Sequence, residues 1–116
     1  MNTELRKMME KCFELRGKII ELDNYNRSNK PGFGREAVFI RSSKDIKSYI
    51  DGNIRVWKTK ICIGKVDVLD LPEQMQDIIL TYILDVMKDI KEMMIKIKYY
   101  MSGDLIHSDL LIEKDN

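Results

Sequence analysis

The sequence predicts an α+β protein: an N-terminal amphipathic helix, a small antiparallel β-sheet, a long C-terminal amphipathic helix and a docking tail. Three observations carry that expectation. Near both ends of the chain, apolar residues recur at alternating steps of three and four, the spacing of a helix seam. Between the two seams lie short runs of β-branched and aromatic residues separated by Gly, Asn, Ser and Pro, the composition of strands and turns. The chain has 116 residues, 44% hydrophobic and 34% charged, enough to bury one core and well away from the composition of disordered segments. Residues 1–116 therefore read as a single domain.

Residues 3–23 are the first helix, with Leu5, Met8, Cys12, Leu15, Ile19 and Leu22 on its seam and Glu14 and Lys18 paired at i,i+4 in the favourable order. Residues 24–36, NYNRSNKPGFGRE, read as a loop. A basic β module follows over 37–69. AVFIRS, from Ala37, is its first strand. SSKDIKSYIDG is either a short helix, with Ser42 and Asp45 making a capping-box-like start, or a hairpin turning at Asp51-Gly52, and the helix is the preferred reading. NIRVWKTKICI reads as one strand, with Arg55, Trp57, Thr59, Ile61 and Ile63 on one face and Ile54, Val56, Lys58, Lys60 and Cys62 on the other. That phase makes Trp57 a core residue beside Ile61 and Ile63. Gly64-Lys65 then turns the chain, and KVDVLDL pairs back antiparallel.

The second helix is predicted over 72–101. Pro72 suits its first turn, Glu73 and Asp77 meet the positive end of its dipole, and Lys88, Lys91, Lys96 and Lys98 lie towards the negative end. Ile79, Ile83, Val86, Ile90, Met93, Ile97 and Tyr100 form its seam, flanked by Leu80, Met87, Met94 and Met101. Thirty residues make a rod of about 45 Å at 1.5 Å per residue. So long an apolar stripe outruns the rest of a small domain, and a second copy of the chain is the expected cover. The tail, 102–116, carries Leu105, Ile106, Leu110, Leu111 and Ile112, which predicts that it docks.

Charge is distributed unevenly. Residues 1–24 balance five basic against five acidic side chains, residues 25–65 hold ten basic and three acidic, and residues 66–116 hold five basic and eleven acidic. The net charge of +1 thus conceals a basic middle at +7 and an acidic C-terminal part at −6. A basic surface of this kind suits an anionic partner.

The spacing of Gly32, Gly34 and Ala37 in GFGREA fits a dinucleotide fingerprint, but that motif follows a strand and opens a helix, whereas here a helix precedes and a strand follows. A looser anion site is retained, in which Arg27, Lys30 and Arg35 supply charge, Phe33 a stacking face and Arg55 a further guanidinium. The single histidine, His107, has Ser108 and Asp109 as immediate neighbours, an arrangement that does not present a catalytic triad. Asp67, Asp70 and Glu73 read as capping and dipole-complementing carboxylates. No cluster has metal-ligand spacing, and no cofactor or enzymatic activity is expected. Cys12 and Cys62 read as reduced core residues.

The charged start MNTELRKMMEK lacks a signal-peptide core and the longest apolar stretch is short, so a cytoplasmic location without a membrane partner is expected. Sixteen Ile, fourteen Lys and one Ala suit an A/T-rich genome, such as a low-GC bacterium or its phage. The functional expectation is a non-enzymatic homo-oligomer that captures an acidic protein surface or a phosphate-bearing small ligand such as a nucleotide, in the manner of a small regulator or inhibitor. The alternative is a nucleic-acid-binding protein using the basic and aromatic strand surface.

Overall fold

A computed structural model describes residues 2–26, 37–48 and 52–101 of the chain. The elements run α1 (Thr3–Asn26), β1 (Val38–Ile40), α2 (Lys44–Lys47), β2 (Ile54–Val56), β3 (Ile61–Ile63), β4 (Val66–Asp67), a 3₁₀ turn (Val68–Asp70) and α3 (Glu73–Met101). Two long helices and a four-stranded antiparallel sheet in the order β1-β2-β3-β4 make this an α+β protein.

α1 begins where Asn2 accepts the Leu5 N–H on its Oδ1 at 2.8 Å, a side-chain cap of the first turn. Its sealed residues are Leu5, Met9, Cys12 and Ile19, with Met8, Leu15 and Ile20 only partly buried. Met9 thus replaces Met8 on the predicted seam. α1 meets both α3 and the sheet, so its apolar stripe is wider than a two-helix seam and centres nearer Met9. The helix also runs three residues past the predicted end, taking in Asn24, Tyr25 and Asn26. The remainder of the expected loop, residues 27–36, lies outside the described residues.

α1 and α3 lie side by side and run in the same direction. Leu5 and Met8 border one notch with Glu73, Gln74 and Asp77, while Lys18, Leu22 and Tyr25 border another with Lys91, Ile95 and Lys98. Asn26 donates its Nδ2 to the Met94 carbonyl at 3.0 Å. The two positive dipole ends therefore share a region carrying Glu4, Glu73 and Asp77. At the other end α1 has no base in its last turn, and Lys98 of α3 sits over the Tyr25 ring at 4.7 Å, bringing its ammonium to both C-terminal ends.

The sheet overturns the reading of 53–63 as one strand. The chain folds back at Lys58-Thr59, with the Trp57 N–H donating to the Lys60 carbonyl at 2.9 Å, and Val56 faces Ile61 across the resulting β2–β3 hairpin. The reason is burial. A continuous strand would put Ile61 and Ile63 on the face opposite Ile54 and Val56. The hairpin puts all four on one face, where each is fully sealed. A side chain of this kind gains roughly 1.5–3 kcal/mol from complete burial, so leaving one pair bare would cost several kcal/mol. Val38 and Ile40 of β1 complete this inner face against the helices.

The remaining junctions follow local chemistry. Gly64 adopts φ 58° in the expected Gly64-Lys65 turn, and Gly52 adopts φ 140° close against the Gly64 backbone. The cap of α2 is Ser43, one residue after the predicted Ser42: its Oγ accepts the Ile46 N–H at 3.3 Å and sets Ile46 into the core. β4 is only two residues long because the Asp67 carboxylate takes the Leu69 N–H at 2.9 Å and starts the 3₁₀ turn, a capping role the sequence predicts for it. Gln76 ties that turn to α3, donating Nε2 to the Leu71 carbonyl at 2.8 Å.

Along α3, burial divides the helix. Ile79, Leu80, Ile83 and Met87 are sealed, Ile90 is half-buried, and Met93 and Ile97 are 52% and 38% exposed. Beyond Ile90 the cover thins: Met94 and Ile95 stay half-buried beside α1, while Met93 and Ile97 of the predicted seam are exposed. The tail, 102–116, lies outside the described residues, with His107, Ser108 and Asp109 in it. No helix among the described residues is long and apolar enough to cross a membrane.

Candidate functional site

The strand alternation that buries Val38, Ile40, Ile54, Val56, Ile61 and Ile63 necessarily turns the residues between them outward. Phe39, Arg55, Cys62 and Asp67 face one another across all four strands as a single row. Phe39 is 55% exposed, and the Arg55 guanidinium carbon lies 4.8 Å from the centre of its ring. That distance is within the range of a cation–π contact. The contact leaves both side chains exposed.

The hairpin at Lys58-Thr59 extends this face. Trp57 follows Val56 and so points to the same side as Arg55, and Lys60 precedes Ile61 and so joins Cys62. The phase of a single strand, which groups Trp57 with Ile61 and Ile63 and puts Lys60 on the far side, is therefore inverted. Trp57 is half-buried and lies outside the sealed core. The aromatic and basic groups that a continuous strand would have separated share one surface.

The electrostatics of this region are lopsided. Arg41, Lys44, Lys47, Arg55, Lys58, Lys60 and Lys65 are all exposed. Between residues 37 and 67 the described carboxylates are Asp45 and Asp67, and the latter is engaged in capping the 3₁₀ turn. The segment 37–67 is thus strongly cationic, with Phe39 and Arg55 exposed within it.

Of the five predicted contact residues, Arg55 lies on this face. Arg27, Lys30, Phe33 and Arg35 lie outside the described residues. Phe39 is the site residue that the sequence reading misses, although AVFIRS carries its signal: Val38 and Ile40 both need burial, which leaves Phe39 outward in any strand of that register.

A second open surface adjoins the first. β1 is an edge strand, and beside it the C-terminal halves of α1 and α3 leave an apolar groove of about 500 Å³ bordered by Ile19, Ile20, Val38, Phe39, Met93 and Met94, with Asp23 at its rim. Phe39 belongs to both surfaces.

The thiols occupy contrasting places. Cys12 is sealed in the core as predicted, and burial pushes its thiol up from 9.0 to about 12. Cys62 departs from the prediction: it is half-buried on the outer row, because its neighbours Ile61 and Ile63 take the inner face. Among the described residues no group of three or more His, Cys, Asp or Glu side chains is placed to hold a metal ion. No family model matches the chain, and no curated protein or solved structure matches it either.

Proposed function

We propose that the chain is a non-enzymatic binding protein that works as a homo-oligomer and captures an anionic partner on the outer face of its sheet. The observation that carries this reading is the exposed Phe39–Arg55 cation–π pair on the outer face of the sheet, within a segment, 37–67, whose seven Lys and Arg side chains are all exposed. Interior-facing positions would be aliphatic; these are polar, charged or aromatic, a composition suited to recognition rather than packing. Arg27, Lys30, Phe33 and Arg35 extend the same basic segment and belong to the proposed contact set. The oligomer rests on α3, whose apolar row continues past its cover to Met93 and Ile97. A second copy laid on that end would cover both, and a regulator or inhibitor acting through such an assembly in the cytoplasm, from a low-GC bacterium or phage, fits the composition.

Native mass spectrometry tests both halves together, with a heparin-derived hexasaccharide as a generic polyanion. Expected are assemblies of two or more chains that fall to monomer on Met93→Lys with Ile97→Lys. Uptake of the hexasaccharide is expected to be lost in Arg55→Ala with Lys60→Ala. A monomer that takes up no polyanion would overturn the reading.

A further inference from the structure

The outer face of the sheet carries two features that a plain anion site does not require. Phe39 presents more than half of its surface to solvent at the middle of a strand, where a Lys or Thr would serve the fold equally well. Trp57, the only tryptophan, directly follows β2, where alternation continued past the sealed Val56 puts it on the same side, and Arg55 lies between them in sequence and against Phe39 in space. Flat π-surfaces on a sheet, edged by Lys58 and Lys60 at one hairpin and Arg41 beyond β1, match the two repeating elements of an unpaired nucleic-acid strand: bases with exposed faces and phosphates at regular intervals. A duplex hides its base faces, and an acidic protein offers carboxylates without rings, so each would use the cations and leave the aromatics idle.

Resting on the anion-capture reading above, we infer that this face binds single-stranded nucleic acid, with bases stacking on Phe39 and Trp57 and on the guanidinium plane of Arg55, and with Lys58, Lys60 and Arg41 meeting phosphates. Binding is then tolerant of sequence, because every base has a π-face. Affinity falls with salt in proportion to the phosphates neutralised.

Trp57 is its own reporter. The full chain is titrated with a twelve-nucleotide oligothymidylate, with the same sequence as a duplex, with the heparin hexasaccharide and with a polyglutamate peptide, following tryptophan emission and the anisotropy of a label on each ligand. Expected is quenching of Trp57 by the single strand alone, with the dissociation constant raised about 5- to 150-fold by Phe39→Ala, the range that removal of one stacked base produces. Phe39→Tyr keeps the ring and retains the affinity, which separates stacking from any disturbance of the fold. Lys58→Ala with Lys60→Ala makes the salt slope shallower by about 0.7 for each phosphate that is no longer neutralised.

Equal binding of duplex and single strand without quenching would overturn stacking while leaving anion capture standing. Binding of the hexasaccharide or the polyglutamate with no nucleic-acid binding would do the same and move the partner to an acidic macromolecule. If none of the four ligands binds, both readings fail together.

Discussion

The two faces of the sheet are made by one layer of chain and have opposite chemistry. The inner face is aliphatic throughout, Val38, Ile40, Ile54, Val56, Ile61 and Ile63, and is sealed by the helices. The outer face is Phe39, Arg55, Cys62 and Asp67, one residue from each of the four strands, with Phe39 and Arg55 exposed and Cys62 and Asp67 half-buried. The difference teaches that stability and recognition are assigned here by strand parity: one position in two serves the fold, and its neighbour is released for contact with something else.

Substitutions at adjacent parities should therefore separate stability from binding. Ile54→Ala, at a fully sealed inner position, is expected to lower the unfolding free energy by about 2–5 kcal/mol in urea melts. Phe39→Ala, on the neighbouring strand with the opposite parity, should cost no more than about 1 kcal/mol, the worth of an exposed cation–π contact. If the two variants melt alike, the outer face is packed against something and the contrast collapses.

Gly52→Ala tests the backbone that joins the faces. A Cβ there would stand 2.9 Å from both the Gly64 Cα and N, at a φ of 140°, so neither a rotamer change nor a side-chain shift relieves it. A loss of about 1–3 kcal/mol is expected from strain of this kind, read from the same melts.

The thiols sharpen the comparison through pH. An unfolded Cys12 ionises near 9.0 and the folded one near about 12, so above pH 9 the unfolded chain releases its proton first and stability falls as pH rises towards 12. The slope approaches about 1.4 kcal/mol per pH unit, and it should be reduced in Cys12→Ala. At neutral pH a maleimide should modify Cys62 well before Cys12. Equal labelling of both would show that the core opens more readily than its packing implies.

The smallest effect expected has the opposite sign. Gly17 lies inside α1, and a Cβ there would meet nothing within 4 Å. Gly17→Ala should stabilise the protein by about 0.5–1 kcal/mol through helix propensity alone, seen as a raised Tm with binding unchanged.

Much of the architecture is legible in the sequence because helix seams are long and redundant. Met9 in place of Met8 at the sealed centre, with Leu15 and Leu22 only half-buried, still leaves α1 intact as an inference. The strands are legible in kind but not in extent, since Asn53 to Ile63 alternates cleanly whether straight or folded. Lys58-Thr59 contains no Gly, Asn or Asp to mark the hairpin, so only the demand to bury four aliphatics on one side decides it. That single ambiguity propagates to the site, moving Trp57 and Lys60 to the wrong faces. Arg55 is recognisable by charge, whereas Phe39 escapes because a lone aromatic in a β-rich run looks like core until its neighbours are assigned.

The parallel course of α1 and α3 has a consequence for synthesis. α1 is made first, yet its packing partners around Gln76 to Met94 follow roughly 70 residues later. At about 5–20 residues per second that is an interval on the order of 4–14 s. Throughout it Leu5, Met9, Cys12 and Ile19 have no helix to rest against. The nascent chain thus leaves part of its apolar ribbon without its helical partner for far longer than a helix needs to form.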